Sequence, residues 1–166
     1  MRFTKGEING EPVAGFVWQE LHRLPGLSDV LSNFAARRRI VVWRGAWWYV
    51  DSSNRRAARL DGLFAKCGWN VSRICGALGL KERTFARMVE QSLGIHPKDW
   101  LCRQRALAAC ALLREVGTVA PVATMLGFRH GADFAAEFRR MVGVAPSEYL
   151  KSERSRMFGA VTDVKM

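Results

Sequence analysis

The 166-residue chain predicts a mainly α fold, with two helix-turn-helix subdomains joined by a long connecting helix, behind a small N-terminal α+β segment that contains a β-hairpin. Three observations carry this reading. The first is an internal repeat: Val71-Ser72-Arg73-Ile74-Cys75-Gly76-Ala77-Leu78-Gly79-Leu80 returns as Val119-Ala120-Pro121-Val122-Ala123-Thr124-Met125-Leu126-Gly127-Phe128, 48 residues later. Past the glycine the copies match at an offset of 49, Phe85 with Phe134, Val89 with Phe138, Gly94 with Gly143, Pro97 with Pro146 and Trp100 with Tyr149, so the second turn holds one extra residue. A repeat constrains architecture before any single residue is interpreted. The second observation is the glycine itself, which takes the left-handed conformation just past a helix end at little cost. The third is the stretch from His96 to Glu115, which no breaker interrupts beyond Pro97.

The elements follow in chain order. Gly6 to Gly15 is polar and glycine-rich and reads as a loose stretch. Phe16 to Leu24 is compatible with a strand or a short helix, and Pro25-Gly26 then forces a turn. Leu27, Leu31 and Phe34 have helical spacing, with Ser28 placed to cap. From residue 38 to residue 50, β-branched and aromatic residues flank Arg44-Gly45 and predict a two-stranded hairpin. Its interleaved arginines and tryptophans suit either a nucleic-acid contact or a hydrophobic unit packing on the helical domain or on a second copy, and the second reading is preferred for its core-type valines and isoleucine. Asp51-Ser52-Ser53-Asn54 supplies turn residues, and Arg55 to Arg59 marks the join to the domain at 60–152. Residues 153–166 read as a C-terminal tail.

In the first copy, Val71, Ile74 and Leu78 stripe one face of a helix, Gly79 ends it, and Phe85 and Val89 begin the apolar stripe of the next. Two helices joined by a short glycine-containing turn describe a helix-turn-helix, whose second helix can enter a DNA major groove. With Phe85, Val89 and part of Met88 inward, Lys81, Arg83, Thr84, Arg87 and Gln91 are left outside. The connecting helix opens on Pro97, a favourable first-turn residue, and runs to Glu115, about 28 Å at roughly 1.5 Å per residue. That approaches the spacing of about 34 Å between successive major-groove segments. Gly117-Thr118 closes the rod, with Thr118 as the cap of the next helix. In the second recognition helix Phe134 and Phe138 face inward.

The run Leu126-Gly127-Phe128, Phe134, Phe138 and Gly143-Val144-Ala145-Pro146-Ser147-Glu148-Tyr149 resembles the C-terminal signature of the AraC/XylS transcription regulators. Gly94-Ile95-His96-Pro97, Arg105, Ala109 and Leu112-Leu113 also stand where that family has them, and the resemblance covers roughly residues 60–152. It implies a double helix-turn-helix domain that binds double-stranded DNA as an asymmetric pair within one chain. Arg83, Ala86 and Arg87 match positions that read bases in the family, as do Gly131, Ala132, Ala135 and Ala136 in the second copy. None of the last four can hydrogen-bond a base through its side chain, whereas Arg129, His130, Arg139 and Arg140 around them can grip phosphates. Unequal halves are therefore expected, with sequence read mainly by the first motif. Lys81 stands where the family often has serine, so the usual cap is missing. Residues 1–59 fall short of the β-barrel sensor such regulators carry, and no small-molecule effector is expected.

A net charge of +11, from 26 basic and 15 acidic side chains, and a pI near 10.4 favour a polyanionic partner. Both parts contribute: residues 1–59 hold 10 basic and 5 acidic side chains, the remainder 16 and 10. No apolar run approaches a membrane span and the N-terminus lacks an apolar signal core, so a cytoplasmic, nucleoid-associated bacterial protein without membrane contact is expected. Cys67, Cys75, Cys102 and Cys110 form neither a Cys-x-x-Cys pair nor a zinc-spaced cluster and read as buried, reduced thiols, so no metal and no cofactor is expected. His22, His96 and His130 read as isolated or structural. Without paired carboxylates, a nucleophile with a base, or a phosphate-binding glycine motif, the chain does not read as an enzyme. The alternative to a DNA-binding regulator is a protein-interaction adaptor, or a homodimer, that uses residues 37–50.

Overall fold

The computed structural model describes residues 7–8, 11–12, 39–43, 46–51 and 56–162. The expected elements over residues 16–36, with the cap at Ser28 and the turn at Arg44-Gly45, lie outside the described residues. The chain divides into two compact units, Met1–Trp100 and Leu101–Met166. In the stretch expected to be loose, β1 (Glu7–Ile8) pairs antiparallel with β2 (Glu11–Pro12).

The predicted hairpin is present as β3 (Arg39–Trp43) and β4 (Trp47–Asp51), in a register that sets Ile40 opposite Val50 and Val42 opposite Trp48. It is not alone. Arg56–Arg59 forms β5, antiparallel to β4, giving a three-stranded sheet of order β3-β4-β5 where the sequence suggested only two strands and a join. Both sheet faces carry buried side chains: Val41, Tyr49 and Ala58 on one, Trp48, Val50 and Ala57 on the other. The buried carboxylate of Asp51 accepts from Arg39 Nε at 2.8 Å and from the Tyr49 hydroxyl at 3.4 Å. That hydrogen bond holds the Arg39 guanidinium above the ordinary arginine pKa.

Helix α1 (Asp61–Lys66) follows at once, its start tied to the sheet where Leu60 N–H donates to Trp47 O and Asp61 Oδ1 accepts from Trp47 N–H. Then come α2 (Val71–Leu78), α3 (Glu82–Leu93) and α4 (Pro97–Val116). The sheet lies along α3, with Val41 N–H donating to Ser92 Oγ at 3.2 Å, so the outer edge of β3 meets a helix. Fully buried Trp100, in the first turn of α4, takes Trp47 and Phe64 edge-on at 5.1 Å each. The sheet thus shares one core with Leu63, Phe64, Ile74, Leu78, Phe85 and Val89.

The second unit holds the rest of α4 with α5 (Val119–Met125), α6 (Gly131–Val142) and α7 (Pro146–Thr162). Its core joins Ala109, Leu113, Val122, Leu126 and Leu150 to a chain of rings, Phe128, Phe134, Phe138 and Tyr149, at 5.3–5.7 Å. α7 continues through residues read as a tail. Its Tyr149 and Glu153 take Arg114 Nε at 2.9 Å each, and Arg154 donates to Gly117 O. Thr118 stands at the N-cap position of α5, but its side chain makes no capping bond, a correction to the expected cap. Cys67, Cys75 and Cys102 are buried, whereas Cys110 is only half-buried, and all four are free thiols.

Candidate nucleic-acid interface

The two helix pairs are built alike. Asn70 accepts the Arg73 N–H through its side chain and starts α2. Gly79, at φ +68°, ends it, with Leu80 N–H on Cys75 O and Gly79 N–H on Gly76 O. In the second copy Gly127, at φ +80°, sits between the equivalent bonds, Phe128 N–H on Ala123 O and Gly127 N–H on Thr124 O. Both closures are Schellman motifs, which is why both copies keep glycine there. Lys81 and His130 occupy the N-cap positions of α3 and α6 and neither side chain caps, as expected for Lys81. His96 does cap: its Nδ1 accepts the Lys98 N–H at the start of α4.

On α3, Phe85, Met88 and Val89 are buried, Met88 wholly rather than in part. Lys81, Arg83, Arg87 and Gln91 are exposed, and Thr84 and Ala86 are half-buried at the margin of the outward face. On and before α6, Phe134 and Phe138 are buried, Arg129, His130, Gly131, Ala132, Ala136, Arg139 and Arg140 are exposed, and Ala135 is half-buried. Each unit therefore presents its predicted residues together along one recognition helix. Among the described residues, Arg83, Arg87, Arg129, Arg139 and Arg140 belong to no ion pair, whereas the paired arginines, Arg39, Arg59, Arg105, Arg114 and Arg156, all lie off these helices.

One supporting contact escaped the sequence reading. Arg105 on α4 donates twice to Glu137 on α6, with Nε to Oε1 at 2.8 Å and a second bond to Oε2. Its guanidinium also lies 4.2 Å from the centre of the Phe128 ring. Both ends of the bridge are largely withdrawn from solvent, so it fixes the recognition helix through a desolvated, forked pair. The two partners are 32 residues apart, and no local pattern announces them. Among the described residues no three of His, Cys, Asp and Glu come together as a metal ion would need, and no helix is long and apolar enough to cross a membrane.

A family model described as a helix-turn-helix domain matches residues 74–152. Over 92 residues the chain is 39% identical to an uncharacterized HTH-type transcriptional regulator of Mycobacterium tuberculosis, an alignment covering 55% of this chain and 25% of that one. Over 84 residues it is 27% identical to a putative AraC-like transcription regulator of Streptomyces lividans, covering 50% and 28%. Residues 74–152 are an AraC-type helix-turn-helix domain. This AraC-type domain shares its fold with the crystal structure of a DNA-binding transcriptional dual regulator from Escherichia coli K-12, at 22% identity and a TM-score of 0.50, over 59% of this chain and 89% of that one. The chain spans about a quarter of the length of the curated relatives it matches. The sheet β3-β4-β5 and α1 precede the residues that the AraC-type match covers, yet they complete the core around α3.

Proposed function

We propose that the chain is a sequence-specific DNA-binding transcription regulator in which α3 reads the major groove and α6 acts mainly as a phosphate clamp. The observation that carries the reading is the pair Arg83 and Arg87, exposed, one helical turn apart on the outward face of α3, and free of ion pairs among the described residues. A guanidinium donates two hydrogen bonds to guanine O6 and N7, the commonest specific contact in the major groove. On α6 the residues at the matching positions, Gly131, Ala132, Ala135 and Ala136, offer no such donor, while Arg129, His130, Arg139 and Arg140 can hold phosphates without sequence information. The net charge of +11 favours the same partner.

The test is affinity for random and for selected duplexes across a salt series, with wild type and with Arg83→Ala/Arg87→Ala. Tight wild-type binding that weakens with salt, and a sequence preference that collapses in the double variant, is the expected result. Weak wild-type binding without preference overturns the reading. A protein-partner or homodimer contact through residues 37–50 is the competing reading, favoured by the alanines of α6. Against it, Trp47 lies on Trp100, Trp48 is buried and Arg39 is engaged by Asp51.

A further inference from the structure

On α6 the buried rings of Phe134 and Phe138 set the inward direction. At about 100° per residue, Ala132, Asp133, Ala136, Arg139 and Arg140 point away from it, and all five are exposed. The two arginines stand in the last turn. Base edges are met by the N-terminal residues of a recognition helix, and there Asp133 is the one outward side chain able to form a hydrogen bond. The repeat places it in register with Thr84 of α3, one residue before the buried phenylalanine in each copy.

A carboxylate is an unwelcome group on a surface that meets phosphates. Asp133 is not neutralised internally, since among the described residues its side chain has no hydrogen bond or ion pair. The N-terminal dipole of α6 welcomes an acidic residue in the first turn, but it does so on any side of the helix and does not call for the outward one. An ionised carboxylate only accepts hydrogen bonds. In the major groove the amino donors are cytosine N4 and adenine N6, and adenine sets the acceptor N7 beside its donor, where a second carboxylate oxygen is repelled.

We infer that Asp133 is a specificity-determining residue of the second helix-turn-helix, accepting a hydrogen bond from the N4 amino group of a cytosine. The inference rests on the proposed function and adds one read position to a helix that otherwise grips the backbone. It also excludes competing sites, because at guanine or thymine the carboxylate finds no donor and at adenine it meets N7 beside the donor, while still facing phosphates.

The test is binding-site selection with the full chain, followed by affinities for duplexes changed at single positions, for wild type, Asp133→Asn and Asp133→Ala. Wild type is expected to select a C·G pair at one position of the second half-site. Asparagine, which pairs with adenine N6 and N7, is expected to move that preference to A·T, and alanine to erase it. The change at that position is about 5- to 150-fold, the usual cost of one mismatched base pair, with the first half-site read as before. If the carboxylate serves only the helix dipole, all three proteins select the same second half-site and the two variants bind every duplex more tightly. That result overturns the inference and leaves the proposed function standing. A wild type that selects no sequence at either half-site removes both.

Discussion

Cys75 shows how much the environment of a single side chain decides. Burial, reinforced by the Glu82 carboxylate, pushes its thiol up to about 12 from an ordinary 9.0. The folded state therefore prefers the neutral thiol. Its contribution to stability is complete below pH 9 and is lost as the pH climbs from there towards 12. Thermal melts are expected to fall over that window, and Cys75→Ala should flatten the decline; an unchanged slope in the variant would place the alkaline sensitivity elsewhere. Gly127 is decided by backbone alone. At φ +80°, with open space where a Cβ would stand, Gly127→Ala meets no clash and costs only the left-handed penalty, about 1–2 kcal/mol. Urea denaturation measures it, and a value near zero would mean that the Schellman closure relaxes freely.

At the scale of elements, the bridge from Arg105 to Glu137 is the joint most open to test. Removing the guanidinium strands a carboxylate that is mostly withdrawn from water, so Arg105→Ala is expected to destabilise the second unit by about 1.5–3 kcal/mol. Amide exchange should quicken in α6 more than in α2 or α3. This joint also marks where sequence reading stops. Helices α2, α3, α5 and α6 were legible because their signals are local: apolar residues at three and four residue steps, then a glycine that both copies need for the same bond pattern. Strand β5 was not. Arg56-Ala57-Ala58-Arg59 contains no β-branched or aromatic residue, and its conformation follows from pairing with β4. Thr118 teaches the reverse, since a residue of the right type at the cap position does not thereby make the bond. The exposure of most candidate site residues was legible because buried Phe85 and Phe134 dictate which way their neighbours face. The same periodicity exposes Asp133.

At the scale of the whole molecule, the first recognition helix depends on residues far upstream. β3 is bonded to Ser92 on α3, and Trp47 lies on Trp100 at the start of α4. A chain beginning at Leu60 loses these contacts. Losses comparable to truncating a buried aromatic, about 3–5 kcal/mol, correspond to a fall of more than about 10 °C in the melting temperature of a domain this size. Calorimetry on the shortened chain tests the expectation, and an undiminished melting temperature would mean that the sheet is an appendage. A shared core of this kind changes what counts as a module. The stretch that comparison outlines, 74–152, is a unit of descent, whereas the piece that could be grafted onto another protein and still hold α3 in place has to begin no later than Arg39.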